Sequence, residues 1–173
     1  MEKKEPVRVS AVRFIGHTYT EANASENDSY QEAWMGFEDS GAFDVLDQLA
    51  DTPNRSSLVI FSPYGKMVYW IGSVVPAETP VPDGLQKFDL PAYTAATLTK
   101  KASMMLNGYP VGTAIQQGAT ALDLAGFDLP EYIGQTATPY YVERYNLTDG
   151  HVSEVAYTVY VGDDIDYGFD DVE

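Results

Sequence analysis

The chain has 173 residues, a formal net charge of -16, no cysteine, and 45% hydrophobic residues. Its length fits one domain, and the apolar share is enough for a real core. The charge repels nucleic acid phosphates and anionic membranes, and the lack of cysteine excludes disulfides, thiolate metal sites and Cys nucleophiles. Aromatic residues reach 13%, and Tyr alone contributes thirteen. Tyr pairs apolar area with a polar handle, which suits both strands and adaptable binding surfaces. No apolar run approaches the roughly 20 residues of a membrane helix, and the segment from Met1 to Pro6 lacks the apolar stretch of a secretion signal. The expected location is therefore cytosolic.

In chain order, residues 6–19 predict a first strand, with a change of phase near Ala11 that marks a bulge. Residues 21–28 form a polar loop. Ser29 and Glu32 have the spacing of a capping box, so a helix is predicted over 29–50, with Asp39-Ser40-Gly41 as a break or kink. Trp34 on this helix reads as a core anchor. A strand at 57–62, a turn at Pro63-Tyr64-Gly65-Lys66 and a strand at 67–75 predict a hairpin. The Pro-rich stretch 75–84 reads as a link between two halves.

The second half repeats the order. A strand is predicted over 85–99, with Pro91 as an edge or bulge, and a helix over 109–125 that begins near Asn107-Gly108-Tyr109-Pro110. A loop is predicted over 127–139, then strands at 140–146 and 154–161 joined through Leu147-Thr148-Asp149-Gly150. The tail, 162–173, is acidic and reads as solvated. The pattern is β-α-β-β twice. It predicts an α+β domain, unit one at about 6–75 and unit two at about 85–161, with antiparallel sheet, two helices and a groove between the units.

The stretch Tyr140-Tyr141-Val142-Glu143-Arg144-Tyr145-Asn146 carries the main chemical signal. Side chains alternate along a strand, so Tyr141, Glu143 and Tyr145 share one face. A carboxylate between aromatic rings suits an organic cation through ion pairing and cation–π attraction. The same pattern also fits a surface glutamate on an edge strand between half-buried tyrosines. Other catalytic sets are thin. His17 and His151 are the only histidines, no serine sits in a nucleophile motif, and neither a phosphate loop nor metal-ligand spacing occurs, so no cofactor is expected. Glu143 could still activate a water if apolar surroundings raise its pKa.

Tyr69-Trp70-Ile71-Gly72, Val81-Pro82-Asp83-Gly84-Leu85, Leu90-Pro91-Ala92-Tyr93-Thr94-Ala95-Ala96, Val142-Glu143-Arg144-Tyr145 and Tyr157-Thr158-Val159-Tyr160-Val161 occur in that order. With them the chain resembles the GyrI-like effector-binding domains, in stand-alone form, which also serve as the ligand-binding part of AraC- and MerR-type regulators. The resemblance runs from about Val7 to Val161 and implies two pseudo-symmetric units around a ligand groove. It implies a hydrophobic, cationic or aromatic small-molecule ligand, with Glu143 meeting the charge. The expected pocket walls are Tyr141, Tyr145, Tyr93, Tyr157 and one of Tyr69 and Trp70, since strand neighbours cannot both point inward. Some stand-alone relatives are hydrolases that open the cyclopropane ring of DNA-alkylating natural products, with the glutamate as the catalytic residue; others bind gyrase. No helix-turn-helix stretch is expected, so direct nucleic acid contact is not. Three readings follow: a binding module, a Glu143-dependent hydrolase, and a protein-interaction role with gyrase or a separate regulator as partner.

Overall fold

The computed structural model describes residues 4–20, 29–61, 67–105, 111–129 and 139–161. The strands are β1 (Val7–Val9), β2 (Val12–Tyr19), β3 (Asn54–Phe61), β4 (Met67–Pro76), β5 (Gln86–Leu90), β6 (Tyr93–Lys101), β7 (Tyr140–Thr148) and β8 (His151–Tyr160). The helices are α1 (Gln31–Asp39), α2 (Ala42–Leu49) and α3 (Val111–Leu124). All eight strands form one antiparallel sheet in the order β1-β6-β8-β7-β3-β4-β2-β5. The order is a palindrome about the central β7–β3 pair: β8, β6 and β1 flank it on one side as β4, β2 and β5 do on the other. The fold is α+β, as the repeated order of elements predicts.

The sheet is curled, and the connections show why. β1 and β2 are separated only by Ser10 and Ala11, and β5 and β6 only by Pro91 and Ala92, yet each pair lies near opposite ends of the strand order. Three residue steps span at most about 11 Å, so the two ends of the sheet must approach each other. The rings of Phe88 on β5 and Tyr140 on β7 accordingly meet 5.2 Å apart, although three strands separate β5 from β7 in the sheet. The concave face is lined by Phe14, Leu58, Trp70, Val74, Leu90, Ala95, Val142 and Tyr160. Gly16 and Gly72 are cross-strand partners, and a Cβ on either would collide with the backbone of the other's strand. Both are side-chain-free so that β2 and β4 can bend together.

The convex face carries the larger core. Ile15, Val59, Tyr69, Ile71, Tyr141, Tyr145, Tyr157 and Val159 pack with Trp34, Phe37, Phe43, Leu46 and Leu122 of the helices. α1 and α2 contact β4, whereas α3 contacts β6 and β8. The helical cover is thus split, α2 also reaching β3 through Asp47 and Arg55 and α3 reaching β7 through Gly118 and Tyr141. Asn54 is fully buried and clamps β3 to β4: its Oδ1 accepts from the Val74 N–H and the Ser56 hydroxyl, and its Nδ2 donates to the Thr52 and Val74 carbonyls.

Several boundaries differ from the sequence expectation. The long helix over 29–50 is two helices, because Gly41 takes φ 83° between them. The N-cap position of α1 is Tyr30 and not Ser29; Tyr30 makes no side-chain cap hydrogen bond, and its ring is buried on Tyr69. The predicted strands at 6–19 and 85–99 are each divided, into β1 with β2 and β5 with β6, at the two places where the chain passes between sheet ends. The last hairpin is tighter than expected. Asp149 and Gly150 both take positive φ, 54° and 82°, so a two-residue turn suffices and β8 starts at His151. The polar loop 21–28, the turn 63–66, the helix start at Asn107 to Pro110, most of the loop 127–139 and the acidic tail lie outside the described residues.

Candidate functional site

β7 follows from its sequence: aromatic and β-branched residues after Pro139, closed by the Asp149-Gly150 turn. It is a central strand, paired with β3 and β8. This rules out the edge-strand reading of Glu143, which is 6% exposed. Tyr141, Glu143 and Tyr145 all point to the convex face and are buried there. Ser57 of β3 and Tyr157 of β8 are the cross-strand partners of Glu143.

The carboxylate is held by phenols. The Tyr141 hydroxyl donates to Glu143 Oε2 at 2.7 Å, and the Tyr145 hydroxyl to Oε1 at 3.4 Å. Among the described residues no basic side chain pairs with it. Burial pushes the Glu143 carboxyl up to about 7, against the Tyr141 and Tyr145 hydrogen bonds, which lower it. Its charge is felt around it: burial first, and then the negative charge of Glu143, raise the Tyr141 and Tyr157 hydroxyls above their ordinary value.

Tyr69 closes the side nearest α1. Its ring stacks on Tyr30 at 4.2 Å and 10°, and its hydroxyl accepts from Trp34 Nε1 at 2.9 Å. Burial raises its pKa, the Trp34 hydrogen bond opposes this, and the Glu143 charge raises it further. On the other side α3 lies directly on the tyrosines. A Cβ at Gly118 would collide with the Tyr141 hydroxyl and come within 3.0 Å of the Tyr157 ring. Beyond Tyr157 is a cavity of about 570 Å³, lined also by Thr113, Gln116, Gln117 and Thr120 of α3. That volume lies in the range of small-molecule pockets.

The structure therefore gathers Tyr69, Tyr141, Tyr145 and Tyr157 on the face of Glu143. It does not bring Trp70 or Tyr93 there. Trp70 is the strand neighbour of Tyr69 and so points to the concave side, where its ring meets Phe14 and Phe88. Tyr93 packs in the same concave cluster, because β6 restarts after Pro91 and Ala92 with Tyr93 in phase with Ala95. Sequence reading missed Ser57, Gly118 and the Tyr30 and Trp34 support of Tyr69. Only register could have found Ser57, and Gly118 carries no local signal inside an ordinary helix. Among the described residues no group of three or more His, Asp or Glu is placed to hold a metal, and no helix is long and apolar enough to cross a membrane.

No protein-family model matches the chain, and no curated protein does. Solved structures do. One, a candidate bacterial transcription regulation protein from Staphylococcus aureus MU50, superposes with a TM-score of 0.54 at 14% identity, over 92% of this chain and 99% of that one. Another, SAV2435 bound to tetraphenylphosphonium, superposes with a TM-score of 0.57 at 16% identity, over 98% of this chain and 99% of that one. At such identity the likeness is one of fold, and it extends over nearly the whole chain.

Proposed function

We propose that this protein is a GyrI-like binding module for hydrophobic cationic or aromatic small molecules, with Glu143 as the counter-charge and Tyr69, Tyr141, Tyr145 and Tyr157 as aromatic surroundings. The observation that carries the reading is a carboxylate 6% exposed, held only by tyrosine hydroxyls and lacking a cationic partner among the described residues. Burying a carboxylate without a counter-ion is costly, and here the cost shows as a pKa near 7. A lipophilic cation removes that cost. It supplies the missing charge, gains cation–π attraction from the rings, and gives up little hydration of its own. Helices frame the rings around it: α3 lies against Tyr141 and Tyr157, and α1 supports Tyr69 through Trp34. Support also comes from SAV2435, which has this fold and binds such a cation, tetraphenylphosphonium.

The test is calorimetric titration of tetraphenylphosphonium and of the neutral triphenylphosphine oxide at pH 8. The cation should bind at least about tenfold more tightly, the scale of one charge-assisted contact. Equal affinities would refute the role of Glu143 as counter-charge.

A second reading rests on the same titration near neutrality. A carboxylate with a pKa of about 7 is a competent general base at physiological pH. Glu143 would take a proton from a water whose oxygen bonds to a strained ring carbon while a ring C–C bond breaks; the electron pair of that bond stays on the ring-opened product, which takes up a proton, as in hydrolysis of cyclopropane-bearing alkylators. Ring-opened product that depends on Glu143 over many turnovers would establish it, and stoichiometric binding without product would leave the binding module alone.

A further inference from the structure

Residues of β7 alternate, so Arg144 faces the side of the sheet opposite to Glu143. There, inside the curl, is a second cavity of about 220 Å³. Its walls come from the sheet ends through Val9, Val12 and Leu90, and from the centre through Val142 and Ala156; Arg144, Thr97, Thr158, Tyr160 and Ser10 supply the polar groups. We propose that this cavity is a binding site for a small monocarboxylate with an apolar body, distinct from the Glu143 site and with Arg144 as the carboxylate anchor.

Three observations carry it. First, Arg144 is mostly buried yet among the described residues makes no ion pair and only one hydrogen bond, from Nε to Asn146 Oδ1 at 2.9 Å. Both Nη groups keep their donors for a ligand. Burial lowers the Arg144 pKa, while the charges of Asp51 and Glu154 oppose that. Neither carboxylate occupies the guanidinium fork: the Glu154 carboxylate instead accepts from Asn146 Nδ2 at 2.8 Å. Second, the Thr97 and Thr158 hydroxyls lie 2.9 Å apart. Two hydroxyls sharing one hydrogen bond leave one proton to donate. Third, Tyr160 lines the same cavity and its hydroxyl has no protein partner among the described residues; burial, and then neighbouring Tyr140, raise its pKa to about 12, so it is a donor at any physiological pH.

The chemistry selects the class. A planar guanidinium fork matches a carboxylate with two parallel hydrogen bonds. The apolar walls demand an apolar body, and the volume lies below the roughly 300 Å³ at which pockets for drug-sized ligands begin. The occupant is therefore of the size of an aromatic or short branched acid. Across the surface the charge of -16 repels anions, so a site for one needs a cation facing inward, as Arg144 does.

The probe is benzoate, with benzamide as its neutral counterpart. Binding is read from amide chemical shifts in 15N-labelled full-length protein. Benzoate is expected to bind with a Kd of about 1 mM or tighter, a value ordinary for a ligand of its size. It should shift the amides of Val142, Ala156 and Thr158, and benzamide should bind at least about tenfold more weakly. Arg144→Met should abolish the benzoate shifts. Should that variant fail to fold, Ala156→Leu serves instead, because it fills the cavity and leaves the guanidinium intact; it too should abolish them. Absence of benzoate binding, equal binding of benzamide, or benzoate shifts unchanged in Ala156→Leu would each overturn the proposal.

Discussion

Replacing Glu143 by Gln should make the protein more stable and a poorer cation binder, and both effects should depend on pH. The carboxyl titrates at about 7 in the fold against an ordinary value of 4.5. A carboxyl whose pKa is raised on folding binds a proton more tightly in the native state. Native stability therefore falls as pH rises from 4.5 through 7, and the whole penalty is present above 7. At about 1.4 kcal/mol per pKa unit the penalty is roughly 3 kcal/mol, undiminished by solvent because the group is buried. Glu143→Gln preserves shape, lets the amide oxygen accept from Tyr141, and removes the titration. The variant should match the wild type near pH 4.5 and exceed it by up to about 3 kcal/mol at pH 8, some 6–12 °C in Tm for a chain of this size. Urea unfolding followed by Trp fluorescence at pH 5, 6.5 and 8 measures the difference, and pH effects common to both proteins cancel. Tetraphenylphosphonium binding to the wild type should strengthen about tenfold from pH 6 to 8, as the ionised fraction of Glu143 rises from about a tenth to about nine tenths. The variant should show no such dependence and bind about 1–3 kcal/mol more weakly. A stability difference that stays constant with pH would refute the buried, high-pKa carboxylate on which the argument stands.

Tyr141→Phe removes the 2.7 Å donor to the carboxylate. It should move the midpoint of the pH dependence of cation binding above 7, and an unmoved midpoint would show that the hydroxyl does not favour the charged form. Gly118→Ala places a methyl group against the Tyr141 hydroxyl; overpacking should cost about 1–3 kcal/mol in urea unfolding, where an exposed helical Gly→Ala change would stabilise. Asn54→Ala leaves the Val74 N–H and C=O at the β3–β4 clamp without their partner and should cost at least about 2 kcal/mol by the same measurement.

Much of the fold is legible along the chain. The breaks at Asp39 to Gly41, near Ala11 and at Pro91 are carried by residues with local conformational effects, and each marks an element boundary in the structure. The candidate face of β7 follows from a period of two. Element ends were less legible, because a hairpin's length depends on its turn: Asp149 and Gly150 both accept positive φ, which lets pairing run to the turn itself. Tyr30 shows the opposite case: it, and not Ser29, takes the N-cap position of α1, and its ring is committed to a tertiary stack on Tyr69.

Alternation by itself determined that Tyr141, Glu143 and Tyr145 share a face, that Arg144 faces away from them, and that only one of Tyr69 and Trp70 could join them. It left undecided which of those two joins, since alternation says that two residues differ in face and never which face is covered. That choice belongs to strand order and curl, which put Tyr69 under α1 and Trp70 inside the concave side. Register made Ser57 the partner of Glu143, and the approach of α3 through Gly118 sealed its surroundings. The raised carboxyl pKa has the same origin. Desolvation is a sum over everything packed around a group, and for Glu143 that packing comes from residues scattered between Tyr30 and Tyr157, far apart in the chain and adjacent only once the sheet has closed.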